Sequence, residues 1–302
     1  MKVLIGYDGS ESAAAALDEL QRAGLPADTE ILVVAVGSIW MPPTDIGNFP
    51  AEVLASRRVA ATMAQLQTQA EQTLKETEEM TNKAATRIRA DFPNWTVRTE
   101  SMSGDAGFTL IEKAADWKAD LIVVGSQNRS AVGRIFLGSV SRKVVTEANC
   151  SVRVARSAFA ADKDAPRRIV VGLDNAEIAD LIVEQIAHRQ WAKDSAAMLV
   201  TATSAAEKDG ISPVKQIIDA QEIQQSAKSK LATSGLKILT TVKAGDAKSV
   251  LLAEAETLSA DCIFVGSRDV RGTINRFLLG NVSTGVVTDA PCSVEVVRAN
   301  AN

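Results

Sequence analysis

The sequence predicts an α/β protein of two tandem domains, each a doubly wound parallel sheet with helices on both faces, and three observations predict it. Short runs rich in Val, Ile and Leu alternate with helical patterns along the whole chain, as they do when strands are covered on both faces. The stretch Asp120 to Arg156 returns in the same order as Asp261 to Arg298: a strand ending in Val-Gly-Ser, a polar loop, a Leu-Gly turn, a helix carrying Val-Ser and Val-Val-Thr, and a strand Cys-Ser-Val. With 302 residues, 46% of them hydrophobic and 23% charged, the chain is long enough for two cores.

Lys2 to Tyr7 reads as the first buried strand, and Asp8-Gly9-Ser10 leads into the alanine-rich helical run Ser12 to Ala23. Asp8 has two readings. It can cap that helix, as Ser10 can, or face a ligand at the C-terminal edge of a parallel strand, where α/β folds bind their ligands. Ile31 to Val36 is the second strand. Gly37 to Pro50, with Trp40-Met41-Pro42-Pro43, is a loop because its prolines forbid a regular element, and it could act as a flap.

From Ala51 to Asp91, Met63, Leu66, Ala70, Leu74, Ala84 and Ile88 recur at helical spacing. Unbroken, that helix would reach ~60 Å at ~1.5 Å per residue, longer than one domain, so a break is expected near Arg57. Its apolar stripe either packs on the sheet or faces a partner. Trp95 to Met102 is the third strand, and Ser103-Gly104-Asp105 starts the helix Ala106 to Trp117.

Leu121 to Val124, the fourth strand, ends at Gly125, and the chain then passes through a polar loop to Gly138-Ser139. There Val140, Val144 and Val145 begin a helix with Ser139 as the expected N-cap. Unpaired amides at such a start attract anions, so the order strand, glycine, loop, helix makes a phosphate site.

Residues 161–166, polar and ended by Pro166, form the linker, which places the domains at 1–158, with a helical insertion at about 51–91, and 167–300. Ile169 to Leu173 repeats the first strand, Asp174 repeats Asp8, and Asn175 stands where Gly9 stood. Met198 to Ala202 repeats the second strand, Ile211 to Ala232 supplies a shorter helix, and Ala244-Gly245-Asp246-Ala247 matches Ser103-Gly104-Asp105-Ala106.

A net charge of -4 gives no overall attraction to nucleic acid or an anionic membrane, so phosphate binding must come from local geometry. The N-terminus lacks a signal-peptide core and no apolar stretch reaches bilayer length, so a cytoplasmic chain is expected. Cys150, Cys262 and Cys292, odd in number and beside apolar strands, suit buried reduced thiols. His188 is the single histidine, so a histidine-based metal cluster or a Ser-His-Asp triad within one chain is nearly excluded, and a surface helix position is expected for it.

Gly125, Asn128, Gly138 and Ser139 stand where the universal stress protein family carries a nucleotide motif of three glycines and a Ser/Thr, and over nearly all of both halves the chain resembles a tandem member of that family. The resemblance implies five-stranded sheets of order 3-2-1-4-5 in an adenine nucleotide alpha hydrolase-like fold, holding ATP with Mg²⁺. By that likeness Gly6, Tyr7, Asp8 and Val36 serve the adenosine side, and Gly125, Asn128, Gly138, Ser139, Val140 and Ser141 cradle the phosphates, with Arg129 and Arg134 able to add charge. Asn128 departs from the family's glycine, yet Asn tolerates left-handed backbone better than other residues with a Cβ.

In the second half the same places fall to Asp174, Ala202, Gly266, Asp269, Gly280, Asn281, Val282 and Ser283. That site is expected to be weaker: its loop is longer by a residue, Asn281 replaces the Ser/Thr, and Asp269 replaces a glycine. A carboxylate about 5 Å from a phosphate costs about 3 kcal/mol at an effective dielectric near 20, unless Mg²⁺ or Arg268, Arg271 or Arg276 offsets it. The resemblance also implies that Val152 to Ala155 packs against Val294 to Val297 as an internal pseudo-dimer, with further dimerisation of the chain.

The implied function is a nucleotide-dependent stress-response regulator, not an enzyme, because no Walker lysine follows the glycine loop, although slow ATP turnover is compatible with it. Two other readings stay open. One is a phosphoryl or nucleotidyl transferase using Asp8, the Gly125 loop and a divalent metal; the other is an interaction protein without ligand, presenting the 51–91 helix or the last strands.

Overall fold

The computed structural model describes residues 1–37, 57–126, 137–156, 164–207, 210–267 and 279–299. The first half runs β1 (Lys2–Gly6), α1 (Glu11–Leu20), β2 (Glu30–Gly37), α2 (Arg57–Asp91), β3 (Thr96–Ser103), α3 (Ala106–Trp117), β4 (Leu121–Gly125), α4 (Ser139–Glu147) and β5 (Ser151–Ala155). The second repeats it as β6 (Arg168–Gly172), α5 (Ala176–Ala187), β7 (Ala196–Thr203), α6 (Pro213–Lys230), β8 (Lys237–Ala244), α7 (Ala247–Thr257), β9 (Cys262–Gly266), α8 (Asn281–Asp289) and β10 (Ser293–Val297).

The strands form one 10-stranded sheet of order β3-β2-β1-β4-β5-β10-β9-β6-β7-β8. Within each half the order is 3-2-1-4-5 and every pairing is parallel; the halves meet where β5 and β10 pair antiparallel, Val154 opposite Val294, Arg153 opposite Glu295 and Val152 opposite Val296. The two expected five-stranded sheets are therefore fused edge to edge through the last strands, as a pseudo-dimer requires.

Local chemistry sets the helix starts. Ser10 accepts from Ala13 N, Asp105 from Phe108 N, Asn175 from Ile178 N, Ser212 from Lys215 N and Asp246 from Ser249 N, each satisfying an amide that the first turn leaves without a partner. Pro213 follows the Ser212 cap, so α6 begins there rather than at Ile211. Helix α2 is continuous over its 35 residues from Arg57. The expected break near Arg57 coincides with the first described residue of the helix, and the Trp40 to Pro50 loop, residues 51–56 and the Met63 side chain lie outside the described residues. Ala84 and Ile88 of its stripe are buried with Val33, Val97 and Leu17 in the core of that sheet face.

The two faces of the sheet differ in continuity. On the face of α3, α4, α7 and α8, one apolar core crosses from half to half, with Val152, Val154, Val294 and Val296 at its centre. On the other face there are two cores, one around α1 and α2 and one around α5. Between them runs a buried file of alternating charge, Glu19, Arg153, Glu295, Arg189: Arg153 meets Glu19 at 2.5 Å and Glu295 at 3.0 Å, and Glu295 also pairs with Arg189. Phe264 lies under both guanidiniums, 5.9 Å from Arg153 and 5.2 Å from Arg189, so each charge has a partner or a ring face in place of water.

The three cysteines are free and buried, and His188 is exposed with Nδ1 2.7 Å from the Glu184 carbonyl. No helix among the described residues is long and apolar enough to cross a membrane.

Candidate functional site

A cleft of about 230 Å³ opens at the C-terminal ends of β1, β2 and β4 in the first half. Its walls include Gly6, Tyr7, Asp8 and Val36 on one side and Gly125, Gly138, Ser139, Val140 and Ser141 on the other. The residues expected on the adenosine side and those expected around phosphates thus converge, although they come from opposite ends of the half-chain. Asn128, Arg129 and Arg134 lie outside the described residues.

Strands β1 and β4 are adjacent in the sheet, and the chain leaves each of them at the same edge, one toward α1 and the other toward α4. This is the switch point at which an open α/β sheet leaves a crevice. Gly6 and Gly125 let α3 and α1 pack close against the strand ends there. A Cβ on Gly6 would stand 2.8 Å from Leu110 Cδ1, and one on Gly125 would stand 2.2 Å from the carbonyl oxygen of Ser12, a backbone atom that cannot move aside. Gly9 has φ +74 and packs under Met80, so the turn after Asp8 needs glycine both for its backbone and for the close passage of α2.

Ser10, not Asp8, caps α1, and Asp8 supports that cap residue. The Asp8 Oδ1 accepts from the backbone N–H of Ser10 at 3.0 Å and from the Ser10 hydroxyl at 2.5 Å; the Asp8 side chain stays exposed on the cleft wall. The N-cap of α4 is Gly138 (φ -61, ψ 160), not Ser139, which is the first helical residue, and no side chain caps this helix. Helix α8 starts in the same way at Gly280. These starts differ from those of α1, α3, α5, α6 and α7, where a side chain holds an amide. The first turn of α4 lines the cleft, and no capping side chain meets the N–H groups that such a turn leaves without helical partners. Ser141 lines the cleft, but its hydroxyl donates to the Gly125 carbonyl at 2.6 Å and so ties α4 to the end of β4; Ser283 does the same to Gly266 at 2.7 Å.

In the second half the sheet brings Asp174, Gly266, Gly280, Asn281 and Ser283 to the corresponding edge. The place of Ser12, six residues after the last residue of β1, is taken by Ile178, six after the last residue of β6. Ile178 is 6% exposed and its Cγ2 would lie 2.2 Å from a Cβ on Gly266, so its side chain fills the space against β9. Leu173, in the place of Tyr7, is buried as well. Asp269, with Arg268, Arg271 and Arg276, lies outside the described residues.

Sequence reasoning did not single out Ser12 and Ile178, although the contrast of serine and isoleucine at one offset after a strand was readable. It also passed over Ala106 and Leu110, which face the cleft from α3. Among the described residues no group of three or more His, Cys, Asp and Glu is placed to hold a metal ion. A divalent ion in this cleft would have Asp8 as the one carboxylate among the described lining residues, so it would rest mainly on ligand phosphates.

Comparison with known proteins agrees with this architecture. The model of the universal stress protein family matches residues 1–156 and again 166–298. A universal stress protein of Mycolicibacterium smegmatis is 25% identical over 303 aligned positions, covering 98% of this chain and 96% of that protein. One from Methanocaldococcus jannaschii is 26% identical over 155 positions, covering 51% of this chain and 81% of its own length. The crystal structure of a universal stress protein from Archaeoglobus fulgidus superposes with a TM-score of 0.68 at 20% identity, covering 98% of both chains, and so shares the fold. With both halves matched and the adenine nucleotide alpha hydrolase-like sheet in each, the chain belongs to the universal stress protein family, as a tandem of two of its domains.

Proposed function

We propose that the first half binds an adenine nucleotide, ATP with Mg²⁺, and that the chain acts as a nucleotide-dependent regulator in the cytoplasmic stress response rather than as an enzyme. The observation that carries this reading is the α4 start: a helix with a glycine N-cap and no capping side chain opens into a cleft at the sheet's switch point, opposite the Asp8 carboxylate. The cleft lies below the usual size of small-molecule sites, roughly 300–1,000 Å³, and suits base and sugar with the phosphates directed to the α4 amides. Adenine is supported by membership in the family. Binding rather than turnover is favoured by the sequence, in which no Walker lysine follows the glycine loop.

The second half is expected to bind more weakly, because Asn281 replaces the Ser/Thr and Ile178, packed against Gly266, stands in the place of Ser12. Isothermal titration with MgATP tests the reading: one site per chain is expected, and a flat titration at millimolar nucleotide removes it. Pairing of whole chains is taken from the family alone; light scattering at two concentrations decides it.

A further inference from the structure

We infer that the Arg153–Glu295 pair selects the partner at the seam: each last strand accepts only a strand that presents the opposite charge at its centre, so the first half pairs with the second and rejects a second copy of itself. Positions 153 and 295 are equivalent, each the third residue of its strand, Ser-Val-Arg-Val-Ala in β5 and Ser-Val-Glu-Val-Val in β10. The register sets them opposite each other, so the pseudo-two-fold axis passes between them. In a β5 to β5 pairing of the same register Arg153 would face Arg153, and in a β10 to β10 pairing Glu295 would face Glu295, with the position fully buried in either case.

The other described contacts of β5 and β10 do not distinguish the partners, whereas outside the strands Arg22 pairs with Asp261 at 2.7 Å and the Gln190 N–H donates to the Gly24 carbonyl at 2.8 Å. Val152 and Val154 match Val294 and Val296. The Ser293 hydroxyl accepts from Arg156 N at 3.0 Å, and the Ser151 hydroxyl accepts from Arg298 N at 3.1 Å. Arg156 donates to the Val287 carbonyl at the end of α8, and Arg298 donates to the Val145 carbonyl at the end of α4. These contacts of the two last strands are two-fold symmetric and would survive a like-with-like pairing. The central position breaks that symmetry: Glu19 on α1 is the partner of Arg153 within the first half and Arg189 that of Glu295 within the second, so a like-with-like pairing would keep these ion pairs but set two like charges at the axis in place of the Arg153–Glu295 pair. Juxtaposed like charges without water cost several kcal/mol, which is enough to decide a choice between otherwise equal partners.

The test uses the whole chain with a protease site placed within residues 157–163, cut after purification, unfolded in urea, refolded and read by native mass spectrometry. The uncharged variant combines Glu19→Gln, Arg22→Gln, Arg153→Met, Arg189→Met and Glu295→Gln, which removes the Arg22–Asp261 pair as well; buried ion groups replaced by packed apolar ones commonly keep stability. The cut wild type is expected to return first-with-second pairs, with like-with-like pairs at least ~100-fold rarer, while the uncharged variant returns all three pairings in near-statistical proportion. Like-with-like pairs of the wild type at comparable abundance overturn the inference, and so does an uncharged variant that still forms mixed pairs alone. If the uncharged variant does not refold, a charge-inverted chain (Glu19→Arg, Arg153→Glu, Arg189→Glu, Glu295→Arg) is mixed with wild type: new pairs of wild-type first half with inverted first half support the inference, and their absence overturns it.

Discussion

Ser12 and Ile178 occupy one place in two copies of the same unit: Ser12 lines the cleft of the first half, and the Ile178 side chain packs against Gly266 in the second. Ser12→Ile is therefore expected to fill the first cleft, abolishing nucleotide binding in a titration while the far-UV circular dichroism stays that of the wild type. A variant that binds as before would mean that the ligand lies elsewhere. The thiols make a second prediction at this scale. Burial pushes Cys150 and Cys292 up to about 12, and Cys262 well above its ordinary value. Folded thiols then keep protons that unfolded thiols release above about pH 9, so stability is expected to fall as pH rises from 9 to 10. Burial lowers Arg156 and Arg298 to about 10, which acts in the opposite sense at higher pH and leaves that window to the thiols. Urea midpoints at the two pH values check this, and Cys150→Ala with Cys292→Ala should flatten the slope.

Among the elements, α4 and α8 both start at a glycine without a capping side chain, and the start of α4 lines the cleft. Gly138→Asp separates a ligand site from a mere joint between strand and helix. Its backbone angles suit any residue, and an aspartate there can cap the amides, so the helix is expected to gain a few tenths of a kcal/mol while nucleotide affinity falls at least tenfold. Thermal melting and titration with MgATP read the two effects separately, and affinity that rose together with stability would contradict the assignment. The strands, the starts of most helices and the repeat were legible in sequence because each depends on neighbours within a turn or a strand. Ser139 as N-cap failed for a local reason: Gly138 already has the extended conformation of a cap, so the helix starts one residue earlier than serine preference suggests. The central Arg153 and Glu295 were legible only as oddities, a charge of opposite sign amid valines in two matching strands, since their meaning depends on a register between residues 142 apart. The packing of Ile178 against Gly266 was hidden in the same way, because it depends on which strand end the helix start faces.

In the whole molecule, one apolar core runs through the seam on one face of the sheet, so neither half can lose its packing without exposing the other's valines. Calorimetry is accordingly expected to show a single unfolding transition, with calorimetric and van't Hoff enthalpies in agreement; two resolved transitions would show that the halves melt independently. The sheet's near-symmetry also bears on signalling. A frame with a two-fold axis becomes lopsided when the first half alone is loaded, as proposed: occupancy should then follow a simple hyperbola with nucleotide concentration, and a reader of the loaded state can tell one end of the molecule from the other.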